Sequence, residues 1–392
     1  EEVDAAVAAN TEITVAPGNY GAEKSHIKLT LTAGNQTVKL AGDYTRLMVV
    51  VLSEGNTLEA DNAVINGEVD TVYNQSPAIY VPYGSLEISG TLTIDNHDYG
   101  MILGYTNAGT EESAAVTFAQ DAQVTITNCK SVGGNSSYDG GVVCAGTDYF
   151  SYVDTQSDGT RGSAITTKGA GSVSISLGEN AVVDCQNNTG AGLYAVGVCY
   201  TLDAAVGSQL LLNNNSQGVC MNTEPFVQAC TITLDGATME TCGNASNGIT
   251  GQNRPYVLNV TNGSTMKSDG NGGIGINSFF INVDASTISV SNNASHGATN
   301  VSFDAVNGSE GTFSGNGIRG LNITKGNDKG GEYGTKTLIS DSKITVENNH
   351  QTGIFFLNTA GTEITGSNVT PAGNGIDKPT STYYGCGIVG SY

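Results

Sequence analysis

Apolar and polar residues alternate with a period of two in two early stretches, EITVAPGNY (12–20) and IKLTLTAGNQTVKLA (27–41). Successive side chains of a β-strand point to opposite faces, so this alternation predicts short, half-buried strands. Farther along, the signal becomes a repeat: a β-rich run, Asn or Cys, a few small polar residues, Gly, and a second β-branched run. It reads METCGNASNGITG (239–251), MKSDGNGGIGIN (266–277), VSNNASHGATN (290–300) and VENNHQTGIFFLN (346–358). A unit that returns about every 20 to 30 residues can bury its apolar face only against its neighbours, which predicts a solenoid. Long amphipathic helical windows are absent.

The corners of such coils can be followed through IDNHDYG (94–100), LNNNSQG (212–218) and FSGNG (313–317), with a second Asn place after the glycine at Asn222, Asn277, Asn300, Asn322 and Asn358. Asn tolerates left-handed backbone and hydrogen-bonds its neighbours, so stacked Asn residues are expected to satisfy buried corner amides from coil to coil. The composition suits tight corners: 53 glycines, no Trp, and only 13% charged residues in 392. A single globular core seldom exceeds roughly 250 to 300 residues. No Pro-rich linker divides this chain, so one elongated body over 1–392 is expected. Residues 1–45 would supply an N-terminal cap and the first coils, and 46–392 the repeating coils. The departures from period at 145–170 and 323–337 read as loops leaving the corners.

Through its coil periodicity, its Asn ladders and the opening NTEITVAPGNY (10–20), the chain resembles the right-handed parallel β-helix proteins of the pectate-lyase-like superfold. Within that group it resembles the Asn- and Gly-rich surface adhesins of bacteria. The resemblance implies an all-β fold, a single right-handed parallel β-helix with long corner insertions, and a secreted or cell-surface bacterial setting. The start at Glu1, without Met or a basic-then-apolar leader, fits a mature fragment.

Charge narrows the partners. With 37 acidic and 15 basic residues the formal net charge is −22, which repels phosphate backbones, so nucleic acid is not an expected partner. No apolar run of about 18 residues is present to span a bilayer. Of eight cysteines, Cys129, Cys185 and Cys242 fall where other repeats carry Asn293 and Asn349. They read as stacked, reduced thiols acting as small apolar filler. Cys144, Cys199, Cys220 and Cys386 fall near the start of the run after the glycine. No CxxC or His-Cys spacing of the zinc type occurs.

Polygalacturonase-like members use aspartates within NTD, DD, GHG and RIK motifs, and none of these occurs; Ser295-His296-Gly297 is the nearest approach. Lyase members need a basic residue to take the proton α to a uronate carboxylate. Arg319 with Lys325, in GIRGLNITKG, is the one pairing that could share a face. Asp95, His97, Asp98 and Tyr99 form the densest ionisable cluster, read as a solvated corner in which His97 takes the ladder place. No cofactor is expected. Calcium would find hard oxygen ligands in Asp139, Asp154 and Asp158, but neither a DxDxDG loop nor a GGxGxD array is present.

Aromatics gather at the longest insertion. Tyr138, Tyr149, Phe150 and Tyr152, with Arg161, are the expected ligand-binding residues, since a flat apolar ring flanked by polar groups suits a sugar. The expected function is a non-catalytic adhesive or structural module whose partner is a host or environmental glycan or another copy through coil edges. The alternative is a polysaccharide lyase or glycoside hydrolase acting on an acidic or host glycan. Ice or mineral binding through Thr91/Thr93, Thr125/Thr127 and Thr231/Thr233 is a third class.

Overall fold

The computed structural model describes residues 11–21, 26–68, 77–104, 113–130, 141–145, 172–196, 199–222, 230–252, 256–324, 337–357, 361–375 and 387–391. Among them every regular element is a β-strand, and strands pair in parallel with the strand one coil later. The chain is thus the all-β parallel solenoid that the repeat predicts. It packs as two compact units, Glu1–Leu211 with Asn222–Phe226, and Leu212–Met221 with Val227–Tyr392.

In the first unit, early coils carry one long strand on the first sheet. Thr37–Thr45, Asn56–Asn66 and Gly84–Asp95 stack in register apart from shifts at Ala41/Asp43 and Ala60/Ala63. From Ala114 onward a tight turn splits that strand in two, as in Ala114–Phe118 with Gln123–Thr127 and Ser172–Leu177 with Val182–Gln186. Asp121 and Asn180 occupy these turns with φ of 60° and 57°, the left-handed region that Asn and Asp tolerate. Short strands such as Pro77–Val81 and Tyr99–Leu103 form the second sheet. Alternate residues point inward and stack into apolar columns, for example Leu86–Val116–Ile175–Leu202 and Leu92–Val124–Val183–Leu210, all buried.

The second unit follows the same plan. One column runs Ile232–Leu258–Ile281–Phe303 and another Ile249–Ile276–Ala298–Leu321–Ile354. Gly311 interrupts a third column, Met266–Ile288–Gly311–Ile344. A side chain there would collide with Ile344, while Phe303 and Phe313, ring centroids 5.5 Å apart and edge to face, fill the space. The repeated glycine after each corner has a related cause. A Cβ on Gly275 or Gly320 would lie 2.4 or 2.5 Å from the inward Val290 or Val346, and 2.7 Å from the amide of Asn293 or Asn349.

Those amides form a ladder within the second unit. Asn244, Asn271, Asn293, Asn316 and Asn349 each donate a backbone N–H and a side-chain Nδ2–H to the Oδ1 of the Asn one coil later, at 2.8–3.1 Å. The second Nδ2–H of Asn293, Asn316, Asn349 and Asn374 goes to a strand carbonyl, that of Ser268, Val290, Phe313 and Val346 respectively. The Oδ1 atoms of Asn271, Asn293, Asn316 and Asn349 each accept twice and these amides donate twice, so side chains at most 1% exposed are fully satisfied. The residue before each ladder Asn is left-handed: Asn292 and Asn348 at φ 55° and 54°, Gly270 and Gly315 at 65° and 64°. This is why the corner reads Asn-Asn or Gly-Asn.

The ladder sets a mutational expectation. Asn293→Ala orphans the Asn271 backbone N–H, one Asn271 Nδ2–H and the Ser268 carbonyl. At ~1–3 kcal/mol for each buried unsatisfied group, urea unfolding should show a loss of about 3 kcal/mol or more. Thr345→Ala, outside the ladder on the neighbouring strand, should stay under about 1 kcal/mol.

Candidate functional site

Tyr138, Tyr149, Phe150, Tyr152 and Arg161, the ligand-binding residues expected from the sequence, lie outside the described residues, as do Asp139, Asp154, Asp158 and Lys325. Among the described residues, no cluster of three or more His, Cys, Asp or Glu is placed to hold a metal ion. No helix there is long and apolar enough to cross a membrane.

In the first unit, the IDNHDYG corner departs from expectation. His97 does take the ladder place: Lys130 N–H donates to the His97 carbonyl at 2.8 Å, as Gly272 N–H does to Asn244 in the second unit. But the corner is not solvated, since His97 and Asp98 are 1% and 2% exposed. The ladder place faces the coil interior, so any side chain there is taken out of water. The His97 ring lies 5.5 Å from that of His26, and Arg46 reaches Glu68 at 3.4 Å. Asp95 stands at the outer edge and accepts from Asn128 at 2.8 Å and Asn66 at 3.3 Å. In the second unit, Asp269 and Asp284 accept in the same way from the left-handed Asn292 and Asn307 of the next coil. These acids fasten corners.

The cysteines also divide. Cys129 holds the ladder place, its N–H donating to Asn188 Oδ1 at 2.9 Å. Cys185 does not: it lies on a strand opposite Ile126, three residues before the ladder Asn188, and donates its thiol to the Gly192 carbonyl. Cys242 sits two residues before Asn244, its N–H bonded to Asn213. A left-handed residue at the corner, Asn187 or Gly243, sets the ladder place later in the chain than either cysteine. Cys129, Cys185, Cys220, Cys230 and Cys242 are free thiols. Burial pushes Cys129 and Cys220 up to about 12 and Cys185 well above its ordinary value, which suppresses the reactive thiolate.

The Thr rows weighed for ice binding stop after two coils. Thr93 faces Thr125, but Thr125 faces Asp184, while Thr231 and Thr233 face Val257 and Asn259. At the last described coil, Ile364 and Ile388 continue the inward columns of Ile339 and Ile354, yet are 44% and 48% exposed.

A different group assembles in the second unit on the strand side turned away from the apolar columns, where Thr299, Asn322 and Phe355 are buried. His296 and Arg319 precede the inward glycines Gly297 and Gly320 and stand in consecutive coils, joined through Gly297 N–H to the Arg319 carbonyl at 2.8 Å. The Arg319 guanidinium lies 3.9 Å over the Phe355 ring, a cation–π arrangement. Its Nη1 donates to Asn322 Oδ1 at 3.4 Å, and Asn322 donates to Thr299 Oγ1 at 2.7 Å. Thr299, Asn322 and Phe355 occupy one row across three coils. Burial, then the nearby Arg319, lowers His296 to about 4, and burial lowers Arg319 itself. The sequence singled out Arg319 but missed Phe355, whose signal is an aromatic where neighbouring coils carry Thr or Asn.

Two measurements follow from these environments. His26 and His296 are both held near 4 against about 6.5 in the unfolded chain, so the unfolded state binds more protons between those values. Stability should therefore fall as pH drops from about 6.5 to about 4, and His296→Gln should flatten that part of the melting-temperature profile. Asp184 and Asp304, raised by burial, contribute with the opposite sign, and the variant difference removes them. A thiol reagent should leave Cys129, Cys185 and Cys220 unmodified in the native protein and label them in denaturant. Comparison with family models, with curated proteins and with solved structures finds no match to this chain, so its functional reading rests on its own residues.

Proposed function

We propose that the chain is a non-catalytic β-solenoid module, secreted or displayed at a bacterial cell surface, that serves adhesion, glycan binding or self-assembly. The observation that carries this reading is a separation of roles among polar residues. The repeated ones, the ladder Asn and the corner Asp–Asn pairs, bond to neighbouring coils. Unrepeated ones, the half-buried Arg319 and His296 with the buried Phe355, gather on the strand side turned away from the apolar columns. A planar cation on an aromatic ring beside an amide and a hydroxyl is chemistry suited to a sugar's faces and hydroxyls. The aromatic insertion around Tyr149, Phe150 and Tyr152 is proposed to add to it, and the coil edge near Ile388 to serve homotypic pairing.

A second reading is β-elimination on a uronate glycan, in which the Arg319 guanidinium, held 3.9 Å over the Phe355 ring, would bind the uronate carboxylate. The two readings separate in one experiment. The adhesive module should release neither reducing ends nor unsaturated products from polygalacturonate, alginate or neutral pectic galactan, while binding spots on a glycan array. Turnover that disappears in Arg319→Ala would replace the first reading with the second. In Tyr149→Ala with Tyr152→Ala, array signal should fall, with sedimentation unchanged.

A further inference from the structure

The first coil of the first unit is held on one side only. Among the described strands, Glu12–Val15 and Gly18–Asn19 pair with Thr37–Thr45, and Ile27–Leu31 pairs with Leu47–Val51. Its inward Ile13 and Val15 are only half-buried, whereas every residue of Leu47–Val51 in the second coil is buried. An end coil with one neighbour opens more readily than the coils behind it. His26 leads into Ile27–Leu31 from a closed corner, and neither of its ring nitrogens reaches solvent or makes a hydrogen bond. Its ring lies 5.5 Å from that of His97 in the fourth coil. The two meet across the corner of the third coil, where Gly67 carries no side chain: a Cβ there would lie 2.9 Å from His97 Cγ. The charged and titratable groups around this corner, among the described residues, come from every neighbouring coil. They are Arg46 with Glu68 at 3.4 Å, Asp95 and Asp98 beside His97, Cys129 and Lys130 in the coil after it, and Lys28 on the strand of His26 itself. Arg46 is buried. A proton on His26 therefore adds a second cation beside a buried guanidinium, with no acceptor in the closed corner for either ring N–H.

We propose that His26 is an acid trigger whose protonation releases the first coil, Glu12–Val15 through Ile27–Leu31, while the coils behind it stay stacked. In the released coil the imidazole is solvated and takes up its proton at about pH 6.5. In the closed coil, burial and then the Arg46 guanidinium hold it near 4. Between those values the released state binds the extra proton, so release is favoured about tenfold per pH unit as pH falls, on the order of 100-fold by pH 4. Above pH 6.5 the proton is absent from both states and the coil stays closed. Release leaves Thr37–Thr45 and Leu47–Val51 with one bare edge each, and such an edge pairs readily with another chain. The first coil is then a removable cover on the sheet edges of the second, and pH sets whether it is in place.

The test is amide hydrogen exchange on the whole chain from about pH 7 to about pH 4, read as protection factors so that the intrinsic pH dependence of exchange is divided out. The Tyr20 and Ile27 N–H groups donate to the Thr45 and Arg46 carbonyls of the second coil, and their protection should fall on the order of 100-fold over that range. Gly67 and Asn96, which donate to the Asp95 and Thr127 carbonyls deeper in the stack, should change by less than about threefold. His26→Phe keeps a ring against His97 but cannot take up a proton, so it should flatten the Tyr20 and Ile27 profiles. Glu12→Gln removes the ion pair to Lys39 at 2.9 Å and should lower the protection of both amides without changing its slope. Protection of Tyr20 and Ile27 that holds to pH 4, or that falls in step with Gly67 and Asn96, overturns the local release. A slope that survives in His26→Phe, or that disappears in Glu12→Gln, overturns His26 as its trigger. Should His26→Phe fail to fold, His26→Gln takes its place, and a flat wild-type profile at Tyr20 and Ile27 overturns the proposal without any variant.

Discussion

A corner amide in the second unit can be buried only because the asparagine of the next coil accepts from it. That requirement shapes much else. An Oδ1 that accepts a backbone N–H and an Nδ2–H at 2.8–3.1 Å holds successive coils to one register, because a slip of one residue would strand several buried donors at once. With register fixed at the corner, inward positions align from coil to coil. The apolar columns, such as Leu234–Val260–Val283–Ala305, follow from that alignment. The glycine after each corner follows too, since ladder amide and inward strand residue both press on its Cα.

The ladder also explains why so acidic a chain has so few ion pairs among its described residues. Several aspartates sit two places before an inward polar corner residue, His97, Asn271 or Ser286, and accept from the left-handed Asn of a neighbouring coil, as Asp95, Asp269 and Asp284 do. A carboxylate satisfied by amide N–H groups needs no cation. Charge can then accumulate along the corners, favouring solubility, without the long side chains that would crowd stacked coils. Arg319 is held by a ring and an amide instead.

Polar residues that break the repeat mark where the solenoid does something besides stack. In the first unit, His97 replaces the ladder amide and lies beside His26, so one stretch of corner is built from imidazole. In the second unit, Phe355 replaces Thr and Asn in an outward row and turns a polar strip into a seat for a guanidinium. Both substitutions are local. Neither disturbs the apolar columns behind them, and that is how a repeat protein tolerates a site on a regular scaffold.

The sequence by itself determined the strands, the parallel coil architecture and the structural office of the asparagines, because period-two alternation and a recurrent Asn-x-Gly corner are local signals. It also placed His97 correctly on the ladder. It misassigned Cys185 and Cys242, since strand facing depends on register to a single residue, and the left-handed corner residue changes the count. It took the His97–Asp98 corner for a solvated one, because burial depends on which way the corner turns. It could not see that Arg319, His296, Asn322 and Phe355 meet. Arg319 and Phe355 are 36 positions apart and Thr299 and Asn322 are 23 apart, and only the stacking of one coil on the next brings the guanidinium 3.9 Å over the ring and the amide 2.7 Å from the hydroxyl.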